Sequence, residues 1–154
     1  MNEEIIRKRE VPAMPSDIRI QYANEEFNTG EDTEIKDLSE AGVRDIVEKV
    51  RDGTYWGLYL CPDECGEEGF LQMEGSEERI FLQISDEINR VAWACFDPEY
   101  LDSDEEAPIM PSDGQSIFPM KCTMRDRELA AKCVEWYIHT LEPYPGMEWL
   151  KESW

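Results

Sequence analysis

The sequence predicts an α+β fold, in which two main helices pack on a mostly antiparallel sheet, a meander of about four to six strands. Two apolar patterns with helical periodicity, one in the first third of the chain and one near its end, predict the helices. Between them, short β-rich segments alternate with turn residues and predict the sheet. The predicted order is β-α-β-β-β-β-(β)-α, and a length of 154 residues suits a single domain, residues 1–154.

The segment before the first helix predicts only one strand. Residues 1–16 are mixed in charge and contain two prolines, so we expect an N-terminal arm. Residues 17–22 alternate polar and apolar side chains, which is typical of a half-buried strand. Residues 24–40 contain seven acids and one lysine, and they predict a loop that lasts until the helix begins.

The first helix is predicted at residues 38–52. Asp37 and Glu40 form an aspartate version of the capping box. The apolar residues recur at the spacing i, i+3, i+4 and i+7 that marks one buried helix face: Val43, Ile46, Val47 and Val50. Gly53 is suited to the left-handed conformation that ends many helices.

Four strands are predicted after this helix, with turn residues between them. They cover residues 54–60, 69–74, 79–84 and 88–96. Residues 97–114 are acidic and contain three prolines, so a long loop is predicted there. Residues 115–121 are a candidate edge strand, since Pro119 argues against a central one.

The second helix is predicted to begin near Thr123, whose hydroxyl can cap it while Asp126 occupies the third helical position. Its apolar side carries five residues: Leu129, Cys133, Trp136, Tyr137 and Leu141. Pro143 is expected to end the helix, and Trp149 in the aromatic tail is expected to dock on the sheet.

Charge restricts the possible partners. The chain has 36 Asp and Glu against 15 Lys and Arg, which gives a formal net charge of -21. Nucleic acids and anionic membranes repel such a surface, so neither is expected as a direct ligand. Apolar residues make up 41% of the chain, too many for an acidic disordered tail. The electrostatic complement is therefore a basic protein or a cation, unless the charge serves no partner.

The expected location is the cytoplasm. The first ten residues lack the apolar segment of a signal peptide, and no stretch approaches the length of a membrane-spanning helix. The five cysteines are odd in number and irregularly spaced, which predicts free thiols in a reducing compartment.

Signatures of enzymes and metal sites are scarce, so no catalytic residue, cofactor or metal is predicted. His139 is the only histidine, and a role in packing or capping the second helix is favoured over catalysis. Cys61 and Cys65 are separated by three residues and have no second cysteine or histidine pair to complete a zinc site. We interpret them as two thiols beside a turn, with a transient disulfide as the alternative.

Two acidic windows are the strongest functional signal. Residues 61–78 contain seven acids and residues 97–106 contain six, and neither window contains a base. Acids that steer a basic partner, together with aromatic anchors, are typical of a protein-binding surface. The alternative is that these acids only make the protein soluble and bind no partner. The predicted partner-binding residues are Asp63, Glu64, Glu67, Glu68, Phe70, Asp97, Glu99, Tyr100, Asp102, Asp104, Glu105 and Glu106.

Short motifs in chain order resemble those of a known family. A nine-residue stretch at 22–30 precedes the first helix, and the strand at 56–60 is followed by the pair Gly69 and Phe70. The last helix leads to Pro145 and Trp149. Over about residues 20–150 the chain is similar to immunity proteins of bacterial polymorphic-toxin systems, specifically those paired with deaminase toxins. The N-terminal arm and the acidic loops at 61–68 and 97–114 depart from that pattern.

The resemblance implies a non-catalytic inhibitor that binds a cognate toxin domain as a heterodimer and occludes its active site. A deaminase that acts on nucleic acid has a zinc-bound water beside a basic strand-binding groove, which negative loops would fit. An acidic DNA mimic or anti-restriction protein is the alternative, and a small enzyme that uses an acid pair is a third hypothesis.

Overall fold

Two helices pack on one face of an antiparallel sheet in the protein, whose computed structural model describes residues 2–27, 29–64, 66–75, 78–109 and 117–154. This confirms the predicted α+β class. The strands are β1 (Asn2–Ile6), β2 (Tyr22–Phe27), β3 (Asp32–Lys36), β4 (Tyr55–Cys61), β5 (Gly69–Gly75), β6 (Ile80–Asp86), β7 (Val91–Ala94), β8 (Thr123–Met124) and β9 (Trp149–Ser153). The helices are α1 (Glu40–Asp52) and α2 (Arg127–Thr140).

The predicted meander is the centre of the sheet. Strands β4, β5, β6 and β7 are neighbours in chain order, and the full order across the described sheet is β1-β9-β7-β6-β5-β4-β2-β3. The short strand β8 pairs with β6 outside this path. Chain-terminal strands therefore extend one side of the meander, and the hairpin of β2 and β3 extends the other.

The main core lies between the sheet and the two helices. Alternate residues of the central strands point toward the helices, as the two-residue period of a strand requires. The sheet contributes Ala23, Leu58, Leu60, Leu71, Met73, Leu82 and Ile84 to this core. The helices contribute Val43, Ile46, Val50, Ala130, Val134 and Ile138.

Helix α1 begins two residues later than predicted. The Ser39 hydroxyl, and not Asp37, accepts a hydrogen bond from the Gly42 amide at 3.1 Å. Asp37 has a φ of 56°, which is incompatible with the extended backbone of a capping residue. The predicted end is confirmed, since Gly53 has a φ of 79° and its N–H bonds to carbonyls of the last turn.

The predictions before α1 were wrong in two places. Residues 17–21 are not a strand, and β2 and β3 lie in the stretch predicted to be a loop. The edge strand β3 leaves most of its side chains in solvent, so its sequence carries no apolar alternation. The N-terminal arm also contains β1, which pairs with β9 along five residues.

Helix α2 is capped by Asp126, which accepts a hydrogen bond from the Leu129 amide at 3.1 Å, and not by Thr123 as predicted. Thr123 is fully buried in β8. The helix ends at Thr140, before Pro143. Trp149 docks as predicted, 1% exposed, although it does so as part of strand β9.

The segment around β7 also differs from the prediction. Strand β7 covers Val91–Ala94 because the residues before it form a turn. Of the candidate edge strand at 115–121, residues 115 and 116 lie outside the described residues. Pro119 forms an isolated bridge with Glu106, and a turn of 3-10 helix follows at Met120–Cys122. No helix among the described residues is long and apolar enough to cross a membrane.

Candidate functional site: the open face of the sheet

The face of the sheet opposite the helices is the candidate site, and we call it the open face. Its side chains alternate along the strands with those of the main core. The central part of the open face carries Tyr22, Asn24, Glu26, Gly57, Tyr59, Phe70, Gln72, Glu74, Phe81 and Gln83. These residues are mostly polar or aromatic, whereas the core residues between them are aliphatic.

Strand register places the polar residues in rows. Asn24 lies opposite Tyr59, which lies opposite Gln72, which lies opposite Gln83. In the next row, Glu26, Gly57 and Glu74 are opposite one another on β2, β4 and β5. Two carboxylates therefore flank a glycine on the open face.

These rows form the floor of a hollow of about 410 Å³, which we call the acidic hollow. Three carboxylates line it, those of Glu26, Glu64 and Glu74, and no Lys or Arg is among its described lining residues. Glu74 is only 4% exposed. A Cβ atom at Gly57 would lie 2.9 Å from Glu74 Oε2, so the absence of a side chain there is what leaves room for this carboxylate.

Aromatic hydroxyls border the acidic hollow. The ring of Tyr59 packs on that of Phe70, with centroids 5.2 Å apart. Burial raises the pKa of Tyr59, with a further contribution from the Cys61 thiol. Burial and a hydrogen bond with Glu34 raise the pKa of Tyr22. Both phenols therefore stay protonated at neutral pH and can donate hydrogen bonds.

A second hollow of about 330 Å³ lies beside the first, and we call it the mixed hollow. Its lining combines the polar residues Gln83 and Glu152 with Phe81 and Phe118, whose side chains are buried in a small second core with Leu150. The rings of Phe81 and Phe118 are 4.6 Å apart, and the Ile117 side chain is 66% exposed. Gln72 lines both hollows, so they are neighbours on the open face.

The first predicted acidic loop meets the open face at the acidic hollow. Asp63, Glu64, Glu67 and Glu68 connect β4 to β5, and Glu64 lines that hollow. Asp63 accepts a hydrogen bond from the Glu67 amide at 3.2 Å, which closes the loop. The predicted anchor Phe70 lies on the open face, half-buried against the ring of Tyr59.

The second predicted loop is held by Arg79, which is 2% exposed. Arg79 donates to Asp97 at 2.9 Å and to the Thr123 hydroxyl at 2.9 Å, and its guanidinium lies 4.8 Å from the Tyr100 ring centre. Asp97 and Tyr100 therefore have internal contacts that fix the loop. Five predicted acids are exposed beyond them: Glu99, Asp102, Asp104, Glu105 and Glu106.

The two loops lie at opposite ends of the sheet. The first loop ends at Gly69, the first residue of β5. The second loop is bound to Arg79, which precedes β6. Because β5 and β6 are antiparallel and Gly69 lies opposite Asp86, Gly69 and Arg79 are at opposite ends of this strand pair. Seven residues of extended strand separate them by about 20 Å. Glu106 pairs with Pro119, which lines the mixed hollow. Both loops therefore border the open face.

Sequence reasoning missed the floor of the site. Gln72 and Glu74 alternate with Leu71 and Met73 in a predicted strand, and this alternation could have assigned them to the face opposite the core. Glu26 and its neighbours on β2 could not be found in this way, because that stretch was predicted to be a loop.

Other titratable groups have internal roles. On the helix side, the Tyr55 hydroxyl donates to buried Glu25, and Lys49 Nζ lies 3.8 Å from the same carboxylate. In the last turn of α2, His139 Nδ1 lies 2.6 Å from the Asp17 carbonyl oxygen, consistent with the predicted packing role. Burial raises the pKa of Cys61 to about 11. Cys65 lies outside the described residues, so the predicted turn thiols and their alternative disulfide stay predictions.

Comparisons of the chain with protein-family models, curated proteins and solved structures find no match. Within the described ranges, no three His, Cys, Asp or Glu side chains are grouped so that they could hold a metal ion. The open face, its charge and the resemblance of the sequence motifs therefore carry the candidate function.

Proposed function

We propose that the protein is a non-catalytic inhibitor that binds a basic toxin domain through the open face, as an immunity protein binds its cognate toxin. One observation carries this proposal. The two helices cover only one face of the sheet, and both acidic loops border the other face, where a small second core covers part of β6 and β9. Carboxylates, tyrosines and the exposed side chain of Ile117 lie on this face, and such groups are components of a protein interface.

Charge favours binding over mere solvation. Thirteen of the 36 acids lie in the two base-free windows. Placing like charges close together destabilises the folded chain, and a basic partner surface would relieve that repulsion. The same charges would accelerate association with a basic partner by steering its approach. Solubility does not require acids to be clustered in two windows, since acids scattered over the surface would have the same effect.

The nature of the toxin comes from the resemblance of the sequence motifs. A deaminase that acts on nucleic acid needs a basic groove for its substrate strand. An acidic surface that occupied this groove would exclude the substrate without any chemistry of its own. We accordingly propose a stoichiometric complex with a deaminase toxin in the cytoplasm of the cell that produces both proteins.

The test uses the C-terminal domain of the protein encoded immediately upstream of this chain. We expect that domain to stop growth when it is produced alone in a host cell, and this chain to restore growth and form a one-to-one complex with it. Deamination of single-stranded nucleic acid by the domain should fall to background at equimolar inhibitor. Absence of a complex, or an upstream neighbour without a toxin domain, would contradict the proposal.

A variant with an altered open face tests which surface binds the toxin, and a matched variant is its control. Glu26→Lys and Glu64→Lys together reverse two charges at the acidic hollow and should abolish protection. Glu10→Lys and Glu142→Lys make the same change in net charge at exposed positions away from it. If both pairs fail equally, charge alone matters and no particular surface is involved. Displacement of the bound protein by duplex DNA would instead favour the DNA-mimic alternative.

A further inference from the structure

We infer that a hollow on the helix side of the sheet binds a small organic carboxylate whose body is an apolar group of about the size of a phenyl ring. This hollow, which we call the helix-side hollow, has a volume of about 270 Å³. It lies between strands β1, β7 and β9 and the segment after α2. The inference is independent of the proposed function, because the helix-side hollow and the open face are on opposite sides of the sheet.

Apolar side chains make up most of the lining of the helix-side hollow. Ile6, Trp93 and Trp149 belong to three neighbouring strands, and Leu141 and Tyr144 belong to the segment after α2. Trp149 is 1% exposed, whereas the other four side chains are only half-buried. Part of their apolar surface is therefore in contact with water. A ligand that covered this surface would be stabilised in proportion to the area removed from water.

Hydrogen bonds hold the walls of the helix-side hollow in place. The Trp149 Nε1–H group donates to the Tyr144 carbonyl oxygen at 2.8 Å, which joins β9 to the segment after α2. The Arg9 amide donates to the Pro145 carbonyl oxygen at 2.8 Å, which joins the N-terminal arm to the same segment. Sites for small ligands are usually preformed in this way, so binding does not require these segments to become ordered.

Two arginines supply the positive charge for a carboxylate. Arg7 and Arg9 both line the helix-side hollow, while Lys8 between them lines a different one. This alternation is that of an extended backbone, which places the two arginine side chains on the same side. Among the described residues, neither arginine takes part in an ion pair, although the chain contains 36 acids. The planar fork of a guanidinium donates two parallel hydrogen bonds to a carboxylate.

The helix-side hollow is also lined by two acids, Asp86 and Glu142. Asp86 is compensated within its own turn, where its carboxylate accepts from the Ile88 and Asn89 amides at 3.1 and 3.0 Å and from Asn89 Nδ2 at 2.7 Å. Glu142 is exposed to solvent, and its single charge opposes the two arginines. The net charge of -21 repels an anion at long range, but charges more than about 10 Å away are largely screened at 0.1 M salt. The arginines therefore dominate the field at the hollow.

The volume of the helix-side hollow limits the size of the ligand. A water molecule occupies about 30 Å³ in the liquid, so a hollow of about 270 Å³ has the volume of about nine water molecules. A phenyl ring with a short chain that ends in a carboxylate fits this space, whereas a nucleotide does not. The ring would contact the apolar walls while the carboxylate reached the two arginines.

The test uses phenylpropionate and two matched compounds. Each compound is titrated into the full-length, isotope-labelled chain and followed by NMR of the backbone amide and indole N–H signals. We expect phenylpropionate to shift the indole signal of Trp93 and the amide signals of Arg9 and Tyr144. The neutral phenylpropionamide has the same shape and should bind at least about fivefold more weakly. Acetate, which lacks the apolar body, should cause no shifts at the same concentration.

Matched variants test the role of the arginines. Arg7→Gln and Arg9→Gln should each weaken the binding of phenylpropionate roughly twofold to fivefold. Lys8→Gln removes the same charge from the residue between them, whose side chain lines another hollow, and should leave the affinity unchanged. Glu142→Gln should strengthen binding by a similar factor, roughly twofold to fivefold, because it removes the opposing charge.

Three results would overturn the inference: no shifts with phenylpropionate, equal binding of phenylpropionate and its amide, or equal losses of affinity in Lys8→Gln and the arginine variants. Shifts confined to the open face would overturn it as well. Failure of the upstream toxin domain to form a complex would contradict the proposed function and would leave this inference standing, since the two experiments concern opposite faces of the sheet.

Discussion

At the scale of single residues, Arg79 is a buried charge that holds the second acidic loop in place. It is 2% exposed and joins three segments that are distant in sequence, through Asp97, Tyr100 and Thr123. A buried guanidinium needs compensation for its lost hydration, and these contacts provide it. The acidic loop at 97–106 is therefore held in place by one of only 15 basic residues.

Arg79→Met should destabilise the fold by about 3 kcal/mol, because Asp97 would lose its partner while it remains partly buried. Urea unfolding followed by tryptophan fluorescence measures this change. The double variant Arg79→Met, Asp97→Asn should lose less than the sum of the two single losses, since they share one interaction. Strict additivity would show that the ion pair does not hold the loop.

At the scale of elements, the stability of strand β1 should depend on pH, because one of its acids lies opposite an acid of β9. Glu3 and Glu152 lie opposite each other on β1 and β9. Burial raises the pKa of Glu152, and a hydrogen bond with Glu3 raises it further. A carboxyl whose pKa is higher in the folded state binds its proton more tightly there. Its stabilising contribution is present at acid pH and is lost as the pH rises through the folded-state value.

Glu152→Gln should therefore raise the melting temperature more at neutral pH than at pH 4.5, the ordinary carboxyl value. Calorimetry at several pH values measures the difference between variant and wild type. Slower hydrogen exchange in β1 of the variant would locate the gain. Glu4→Gln is the control, because Glu4 lies opposite Lys151, at 3.7 Å, and not opposite another acid. An equal gain at both pH values would contradict the argument.

Elements with a buried, periodic face were predictable from the sequence, and elements without one were not. The end of α1 and the strands β4, β5 and β6 followed from apolar spacing and turn residues. In contrast, β1 and β3 are edge strands that leave most of their charged side chains in solvent. Backbone pairing holds them, of β1 with the distant β9 and of β3 with its hairpin partner β2, and neither pairing leaves an apolar alternation in the local sequence.

The candidate site was predictable only at its rim. Both acidic loops were visible as runs of carboxylates, and Glu64 and Glu106 do border the open face. Asp97 and Tyr100 were predicted as contacts for a partner, but their internal role depends on Arg79, which is distant from Tyr100 in sequence. The floor of the site requires the register of three strands, which no single segment specifies.

At the scale of the whole molecule, the position of the charge matters more than its total. The net charge of -21 repels any anion from every side. Salt screens this repulsion within about 10 Å at 0.1 M, so a partner near the surface responds to the nearest charges. Acids bordering the open face should therefore control the final approach of a basic partner there, and acids on the helix side should contribute little.

Two sets of substitutions test this with equal changes in net charge. Neutralising the loop acids Asp102, Asp104, Glu105 and Glu106 should lower the association rate constant for the toxin domain several-fold at low salt and flatten its salt dependence. The control set neutralises Glu10, Glu40, Glu135 and Glu142, which lie on the arm, the two helices and the segment after α2. Stopped-flow association over a range of salt concentrations compares the sets. Equal effects would mean that only total charge steers the partner, and the second loop would then have no special place in the interface.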